Sequence, residues 1–446
     1  MPKIIRILLL LGLLVAASIT IDTEIQAAGS RIDILYASGT INPVLANYIE
    51  RGISQAGEEN AVTCIIQLDT PGGLDTAMRD IVKDIISAEV PVVVYVSPAG
   101  ARAASAGVFV TMAAHVAAMA PMTNIGAAHP VAIGAEGEAQ MSEEMEEKVV
   151  NDAAAYIRSI AQAHGRNMEW AEKAVRGSVS ATEQEALELN VIDTVVPDLG
   201  SLIAELDGWE VTMLDRSVVT LHTQGAEVNY VKMSAIENLL FTISDPTIAV
   251  ILLSLAMLGI TVEIFNPGLI FPGVFGGICA FLAAYSLGFL PINYAGIALI
   301  ALAGGLFIAE VFTAGFGLFT AGGIISLVFG FLILFSGRPT LFQPAPWVIP
   351  TIAGSIGTIL AVVIYHVVRA HQRQATTGRE ELPGKTAVVK VALEPEGTVL
   401  HEGELWTAIL DEGKAKPGEE VIITRFDGLK LYVTKKKPDV KQKQRR

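Results

Sequence analysis

The sequence is poor in cysteine and histidine, and these shortages argue against several kinds of chemistry. Its 446 residues include two cysteines, Cys64 in a predicted strand and Cys279 in a predicted membrane segment. A disulfide between such positions is not expected, and no thiol chemistry is indicated. The seven histidines show no spacing typical of metal ligands. We therefore expect neither a metal site nor a cofactor.

Charged residues are also scarce, and they are unevenly distributed. They make up 17% of the chain against 52% hydrophobic residues, and the formal net charge is −15. An acidic balance argues against a nucleic-acid partner. The mean hydropathy of +0.50 indicates that part of the chain lies in a membrane. Residues 437–446 are basic instead, which is typical of either a solvated end or a cytoplasmic contact with anionic lipid.

The longest stretch with little charge predicts the membrane region. Between residues 247 and 336 only Glu263 and Glu310 are charged. Such carboxylates indicate a proton or ion path, or more simply groups at an interface or protonated within the bundle. Glycines and prolines around residues 266–273 could mark a broken helix, so the pattern allows four or five spans. The apolar segments, each near the ~20 residues that span a bilayer, are 247–265, 269–290, 293–312, 316–336 and 347–369.

The two ends of the chain predict its orientation in the membrane. Residues 1–28 begin with basic residues and continue as a short apolar run, as in a secretory signal or an N-terminal anchor. The segment that follows them is then exported. Arg369, Arg373 and Arg379 follow the last apolar segment, and basic residues mark cytoplasmic ends. An exported first domain and a cytoplasmic end require an odd number of spans, hence five.

Strand and helix patterns alternate before the membrane region. Apolar runs typical of strands occur at residues 32–36, 63–68, 91–96 and 191–196. Helical patterns lie between them, at residues 43–55, 74–88, 106–118, 143–164, 168–175 and 181–189. Such alternation predicts an α/β domain with a mainly parallel sheet. We assign residues 29–230 to this domain and residues 231–372 to a helical transmembrane bundle.

A short β-rich segment follows the membrane region. Its strand-like runs, separated by glycine and proline turns, are 385–393, 397–399, 405–409, 420–425 and 429–433. About five short strands within residues 380–436 predict a small barrel of the OB type. The segment has few aromatic residues and no basic face, so we interpret it as an interaction module rather than a nucleic-acid binder.

Two glycine-marked turns carry the clearest chemical signal of the α/β domain. The sequence LDTPGG at residues 68–73 follows one strand, and PAGARAASAG at residues 98–107 follows the next. Turns at the ends of neighbouring parallel strands bring backbone N–H groups and the Ser105 hydroxyl together, as in an oxyanion hole with its nucleophile. The donors would be the N–H groups of Gly73 and Ala106. Serine is also a favoured N-cap, so Ser105 could instead only cap a helix.

A serine nucleophile needs a general base. The lysines and histidines available in the domain are Lys83, Lys148, Lys173, His115, His129, His164 and His222. Lys148 flanks the apolar stripe of the predicted helix 143–164, and desolvation there would lower its pKa towards base function. Four neighbouring glutamates favour the charged form instead, as for an ordinary surface lysine. His129 lies in the loop at residues 126–130 and is the rival base. Spacing does not choose between the two.

Three motifs in order, at residues 68–73, 100–107 and 124–130, resemble those of the NfeD family. The succession of signal, α/β domain, membrane bundle and small barrel resembles the long members of that family. These members are similar to membrane-bound serine proteases of the ClpP and signal-peptide-peptidase type. The resemblance implies that the α/β domain is a ClpP/crotonase-like spiral of ββα units.

The resemblance also implies roles for individual residues. Ser105 corresponds to the nucleophile and Lys148 to the general base of a Ser–Lys dyad. Gly73 and Ala106 correspond to the oxyanion donors. ClpP itself uses a histidine that would fall close to His129, so His129 remains the alternative base.

The function implied by the resemblance is that of a membrane-bound serine endopeptidase that cleaves hydrophobic peptide segments. Its partner would be a stomatin-type (SPFH) membrane protein. We expect a multi-pass protein of the cell membrane with an extracytoplasmic protease domain, a cytoplasmic barrel, contacts with membrane lipid and a homo-oligomeric state. One alternative is a non-catalytic scaffold for the same partner. Another is thioester chemistry in a crotonase-type oxyanion hole, against which the exported location argues.

Overall fold

The computed structural model describes residues 30–131, 143–265, 268–290, 292–313, 317–337, 340–371 and 382–436. The predicted signal segment and the basic tail lie outside these residues, as do Arg373 and Arg379. The chain divides into two compact units, residues 1–356 and 357–446.

Strands and helices alternate through the first part of the chain. In order they are β1 (Arg31–Ser38), α1 (Pro43–Glu58), β2 (Thr63–Asp69), α2 (Asp75–Ile86), β3 (Val92–Val96), β4 (Arg102–Ala104), α3 (Ala106–Ala113), β5 (Val116–Met119), β6 (Asn124–Gly126), α4 (Glu143–Ala163), α5 (Met168–Gly177), β7 (Ser180–Thr182), α6 (Glu183–Glu188), β8 (Thr194–Val195), α7 (Leu199–Glu205), β9 (Glu210–Thr212), β10 (Val218–Thr220) and β11 (Glu227–Val231).

The core of this domain is a six-stranded sheet with the order β11-β1-β2-β3-β5-β8. Every neighbouring pair in it is parallel. All residues of β3 are buried, because helices cover one face and the β9–β10 hairpin with α7 covers the other. Burial on both faces explains why the central strands read as continuous apolar runs.

A second sheet of three short strands, β4-β6-β7, lies at the carboxyl ends of β2 and β3. Strands β4 and β6 are parallel, and β7 runs antiparallel to β6. A bridge between Thr70 and Ala103 joins the end of β2 to this second sheet. The predicted ClpP/crotonase-like spiral of strands and helices is thereby confirmed.

The secondary-structure prediction is wrong in several details, and the short elements β4, β6, β7, β9, β10 and α7 were not predicted. The helix expected over residues 106–118 ends at Ala113, and Val116–Met119 form the buried strand β5 between β3 and β8. Alanine-rich apolar residues fit a buried helix and a buried strand equally well, so the pattern alone could not separate them. Strand β11 was also missed, although Glu227–Val231 pair in parallel with β1.

Apolar helices follow the α/β domain. They are α8 (Ala235–Ile243), α9 (Pro246–Phe265), α10 (Phe271–Phe289), α11 (Tyr294–Phe312), α12 (Leu318–Leu334) and α13 (Val348–His371). The segments Pro246–Ile264 and Phe271–Phe289 are long and apolar enough to cross a membrane, and the apolar parts of α11, α12 and α13 are shorter. Glycine allows close helix contact here, since a Cβ on Gly259 of α9 would lie 2.9 Å from the Cα of Gly276 on α10.

Glu310 has a structural role within the membrane helices. Its Oε1 accepts the Gly317 N–H at 2.7 Å and its Oε2 accepts the Thr320 N–H at 2.8 Å. The carboxylate at the end of α11 therefore caps the N-terminus of α12, where free N–H groups need acceptors. Glu263 likewise accepts the Gly268 N–H, at 3.3 Å. These contacts favour the simpler of the two interpretations of the membrane carboxylates.

The second unit contains the predicted small barrel. Its strands are β12 (Thr386–Val391), β13 (Glu396–His401), β14 (Glu404–Leu410), β15 (Glu420–Asp427) and β16 (Lys430–Lys435). They close in the order β12-β13-β14-β16-β15 around an apolar core. The prediction of a five-stranded barrel of the OB type is confirmed.

Candidate active site

The two glycine-marked turns lie side by side. The Thr70 N–H donates to the Arg102 carbonyl at 2.7 Å, and the Ala104 N–H donates to the Thr70 carbonyl at 3.1 Å. On its other side the first turn pairs with the loop after β1, since Gly73 forms a parallel bridge with Ile41. A Cβ on Gly73 would lie 2.0 Å from the Ile41 carbonyl oxygen. Only glycine therefore fits this position.

Ser105 has an unusual backbone conformation, with φ 54° and ψ −115°. Its N–H donates to the Gly126 carbonyl at 3.0 Å, which holds the strained turn in place. Nucleophilic serines commonly occupy such strained strand-to-helix turns, because the turn exposes the hydroxyl. Ser105 immediately precedes α3 but makes no side-chain cap hydrogen bond to it. The Ser105 hydroxyl therefore does not cap the helix, which was the alternative interpretation of this serine.

Gly72 faces the Ser105 side chain directly. It has a φ of +112°, and a Cβ built on it would lie 2.6 Å from Ser105 Cβ and 3.1 Å from Ser105 Oγ. Only a glycine leaves the space that the serine side chain occupies.

Two backbone N–H groups close to Ser105 in the turns have no protein partner among the described residues. Within the described part of the chain, the N–H groups of Gly73 and Ala106 donate to no protein acceptor. Ala106 is the first residue of α3, so its N–H also carries the positive end of the helix dipole. Free N–H groups on both sides of a serine are the arrangement that stabilises an oxyanion.

Ser105, Gly73 and Ala106 line one cleft, with a volume of ≈ 460 Å³, and Lys148 lines its other side. The remaining wall is mixed: apolar side chains predominate, together with a few charged groups. These wall residues are Leu74, Asp75, Met78, Arg79, Phe109, Ala128, Pro130, Val131, Val149, Asp152 and Ala153. The structure therefore brings together all four residues that the sequence and the resemblance assigned to the chemistry.

The two candidate bases differ in their surroundings. Lys148 lies on α4 with 65% of its side chain exposed, and its Nζ is 2.8 Å from Glu144 Oε1. His129 is not among the described residues of the cleft wall. Its Nδ1 is 2.8 Å from the Val175 carbonyl oxygen, and its Nε2 is 3.9 Å from Glu146 Oε1. The histidine is thus oriented by groups outside the cleft.

Two other candidate bases are half-buried near the far end of α3. The His115 and His164 rings meet edge to face at 5.9 Å. Burial and the neighbouring Arg166 guanidinium lower the pKa of His115 to about 4 and that of His164 to about 3. Arg166 is buried and donates to the Met112 and Ala114 carbonyls, at 2.7 and 2.8 Å. This cluster closes the C-terminal end of α3 and lies away from Ser105.

Sequence reasoning missed the charged residues of the cleft. Arg79 on α2 pairs with Asp152 on α4, 73 positions later in the chain. Helical spacing predicts only the local partner of Arg79, Asp75, four residues earlier. No signal in a single sequence could have joined Arg79 to Asp152.

Metal and thiol chemistry have no obvious place in the described residues. No group of three or more histidine, cysteine, aspartate or glutamate residues there could hold a metal ion. Cys64 and Cys279 are both free and buried. Burial raises the pKa of the Cys64 thiol far above its ordinary value, so its reactive thiolate is not populated.

Sequence models of NfeD domains match most of the chain. The NfeD1b N-terminal domain matches residues 32–203, the NfeD integral membrane domain residues 247–366, and the NfeD-like C-terminal, partner-binding domain residues 379–435.

Two relatives match over almost their whole lengths. Membrane-bound protease PH1510 of Pyrococcus horikoshii is 36% identical over 409 residues, which cover 90% of this chain and 92% of the relative. Membrane protein NfeD1b of Bacillus subtilis is 25% identical over 442 residues, covering 95% and 97%.

Solved structures of parts of the Pyrococcus horikoshii protein are also similar. One is the 1510-N membrane-bound stomatin-specific protease as a lysine-to-alanine mutant in complex with a substrate peptide. It is 35% identical and covers 48% of this chain and 98% of its own, with a TM-score of 0.45. A serine-to-alanine mutant of the same domain is 35% identical over 46% of this chain and 99% of its own, with a TM-score of 0.44. The match to PH1510 and the three NfeD domains, together with the cleft around Ser105, show that the chain belongs to the NfeD family. It is a long, membrane-bound member with a ClpP-like serine peptidase domain.

Proposed function

We propose that this protein is a serine endopeptidase with a Ser–Lys dyad. Ser105 Oγ attacks the peptide carbonyl while Lys148 Nζ accepts its proton, and the N–H groups of Gly73 and Ala106 bind the developing oxyanion. Lys148 then returns the proton to the leaving amine, and water releases the acyl group from Ser105 by the same route. The observation that carries the proposal is the one cleft that all four residues share.

Lys148 must lose its proton before it can act. In the structure its ammonium is exposed and paired with Glu144. A peptide bound in the cleft would exclude water from the lysine, which shares the cleft wall with apolar side chains such as Phe109 and Val149. Desolvation favours the neutral amine, so substrate binding itself would prepare the base. The relative's serine and lysine mutants, one of them bound to substrate peptide, support a dyad of these two residue types.

The wall of the cleft also supports an apolar substrate. Met78, Phe109 and Val131 line the same cleft as Ser105, and such side chains bury apolar peptide residues favourably. The relative is named a stomatin-specific protease, and the barrel belongs to a partner-binding domain type. We therefore propose a stomatin-type membrane protein as partner and substrate.

Domain boundaries and topology complete the proposal. Residues 29–230 form the protease domain, outside the cytoplasm, and residues 380–436 form the barrel, inside it. We propose that the five helices α9–α13, two of which are long enough to span by themselves, make five spans within residues 231–372. An odd number of spans places the two ends on opposite sides of the membrane. We further propose contacts with membrane lipid and a homo-oligomeric state.

The test uses the full-length protein in lipid nanodiscs, with a series of apolar peptides as substrates. Ser105→Ala should reduce cleavage to the background rate while the melting temperature stays unchanged. Lys148→Ala should lower kcat by about 10³-fold, within the range for general bases, whereas His129→Ala should cut nearly as wild type.

Three outcomes would contradict parts of the proposal. Wild-type cleavage by Ser105→Ala would remove the nucleophile. Loss of activity in His129→Ala, with Lys148→Ala active, would transfer the base to His129. A fluorophosphonate probe that fails to label Ser105 in the folded protein would favour the non-catalytic scaffold.

A further inference from the structure

Each part of the proposed machinery is attached to a different helix. Helix α2 begins two residues after Gly73, α3 begins directly after Ser105, and α4 carries Lys148. The relative placement of oxyanion donor, nucleophile and base therefore depends on how these three helices pack.

Arg79 contacts all three helices, directly or through one ring. From α2 its Nη2 donates to Asp152 Oδ2 on α4 at 2.5 Å. Its guanidinium also lies 4.5 Å from the centre of the Tyr156 ring, one turn further along α4. That ring stacks on Phe109 of α3, with 6.0 Å between ring centres and 24° between ring planes.

The second partner of Arg79 keeps its guanidinium in a fixed orientation. Its Nε donates to Asp75 Oδ2 at 2.9 Å, and Asp75 is the first residue of α2. Asp75 and Asp152 are more exposed than Arg79, at 62% and 69% against 34% of the side chain. Each ion pair is therefore weak by itself, and it is the two carboxylates together with the Tyr156 ring that orient the guanidinium.

Asp152 occupies a sensitive position relative to Lys148. It lies four residues after Lys148 on α4, one helical turn away, just as Glu144 lies four residues before it. Carboxylates at either spacing can pair with a lysine. In the described structure Lys148 pairs with Glu144, and Asp152 pairs with Arg79 instead.

The other charges near Lys148 are few and can be named. On its own helix they are Glu143, Glu144, Glu146, Glu147 and Asp152. Helix α2 adds Asp75 and Arg79 on the cleft wall, and the loop at residues 126–130 adds His129, close to Glu146. Arg79 is the only cation besides Lys148 on the described wall.

We propose that Arg79 is a positioning residue, which holds α4 against α2 and α3 and keeps Asp152 from pairing with Lys148. The inference rests on the proposed function, because it concerns the base of that reaction. Loss of Arg79 would have two effects. The helix that carries Lys148 would lose its anchor, and the freed Asp152 carboxylate would stabilise the protonated lysine.

The experiment compares Arg79→Gln, Asp152→Asn, the double variant and wild type, as full-length protein in nanodiscs. Arg79→Gln should lower kcat/KM at pH 7 by about 100-fold, the loss expected for a misplacement of about 1 Å. The lower limb of its pH profile, which reports the base of the free enzyme, should move up by about 0.3 pH unit, as expected for one exposed ion pair at this helical spacing.

The double variant separates the two effects. Because it lacks the freed carboxylate, its pH limb should return to the wild-type position while kcat/KM stays low. Arg158→Gln is the matched control, since Arg158 ties the same helix to α5 through Glu172 at 2.7 Å, away from the cleft. It should leave both the rate and the limb unchanged.

Several results would overturn the inference. One is a wild-type rate and a wild-type pH limb in Arg79→Gln. Another is a loss of rate in Arg79→Gln that leaves the pH limb in place and that Arg158→Gln shows equally. Failure of the proposed function is recognised separately, because Ser105→Ala would then cleave as wild type or no protein in the series would cleave at all.

Discussion

A methyl group added at Gly72 should inactivate the enzyme by displacing Ser105. The alanine Cβ would lie 2.6 Å from Ser105 Cβ, whereas ordinary contact begins at 3.4 Å. The second neighbour is the Ala104 carbonyl oxygen, at 3.3 Å. Because that oxygen belongs to the backbone, it cannot easily shift to make room for the methyl group. The serine side chain must therefore move.

The size of the effect follows from two terms. An alanine at the φ of +112° found at Gly72 costs roughly 1–2 kcal/mol of stability. The clash shifts Ser105, the proposed nucleophile, by roughly 1 Å, and such a misplacement lowers the rate by about 100-fold. That factor corresponds to about 2.7 kcal/mol of transition-state stabilisation.

Gly100 provides the matched control for the backbone term. It also has positive φ, +89°, but a Cβ built on it meets nothing within 4 Å. Gly100→Ala should therefore lose a similar amount of stability and keep its activity. Thermal unfolding would measure the first quantity, and the rates of fluorophosphonate labelling and peptide cleavage the second. Wild-type labelling of Gly72→Ala, or equal inactivation of both variants, would refute the reasoning.

Two further predictions concern stability. Because the pKa values of His115 and His164 lie below the ordinary 6.5, at about 4 and about 3, the unfolded chain binds more protons than the folded chain in acid. The free energy of unfolding should therefore fall as the pH drops below about 6.5, by up to ~1.4 kcal/mol per pH unit for each histidine. Melting temperatures at pH 7 and pH 5 would measure this, and His164→Phe should reduce the difference; an unchanged difference would contradict it. Glu310→Ala removes the acceptor of two N–H groups and should cost about 1 kcal/mol, as loss of a helix cap does. An unchanged melting temperature in detergent would contradict that role.

The turns were predictable because backbone geometry restricts which residues they accept. Gly72 and Gly73 occur where a positive φ and a close backbone contact exclude any side chain, and a glycine pair after a strand signals that requirement. The strained backbone of Ser105 was not predictable in the same way. It depends on the Gly126 carbonyl, which reaches Ser105 only once β4 and β6 pair.

The limits of the sequence reasoning have a common physical origin in long-range packing. Residues 116–119 form a strand because β3 and β8 flank them, although their composition suits a helix. The choice between Lys148 and His129 likewise depends on whether each side chain lines the cleft, and this is decided by the packing of distant elements. Local periodicity describes one element at a time and carries no information on such contacts.

The loop after β1 lies between the proposed oxyanion site and the ends of the membrane helices. Ile41 pairs with Gly73, and the adjacent Gly39, Thr40 and Asn42 line a cavity of ≈ 160 Å³ against the ends of the membrane helices, including Phe289. The backbone that pairs with the proposed oxyanion donor is thus one residue away from groups that face the ends of the membrane helices. On the proposed function, any movement of these helix ends would reach the oxyanion site through this loop.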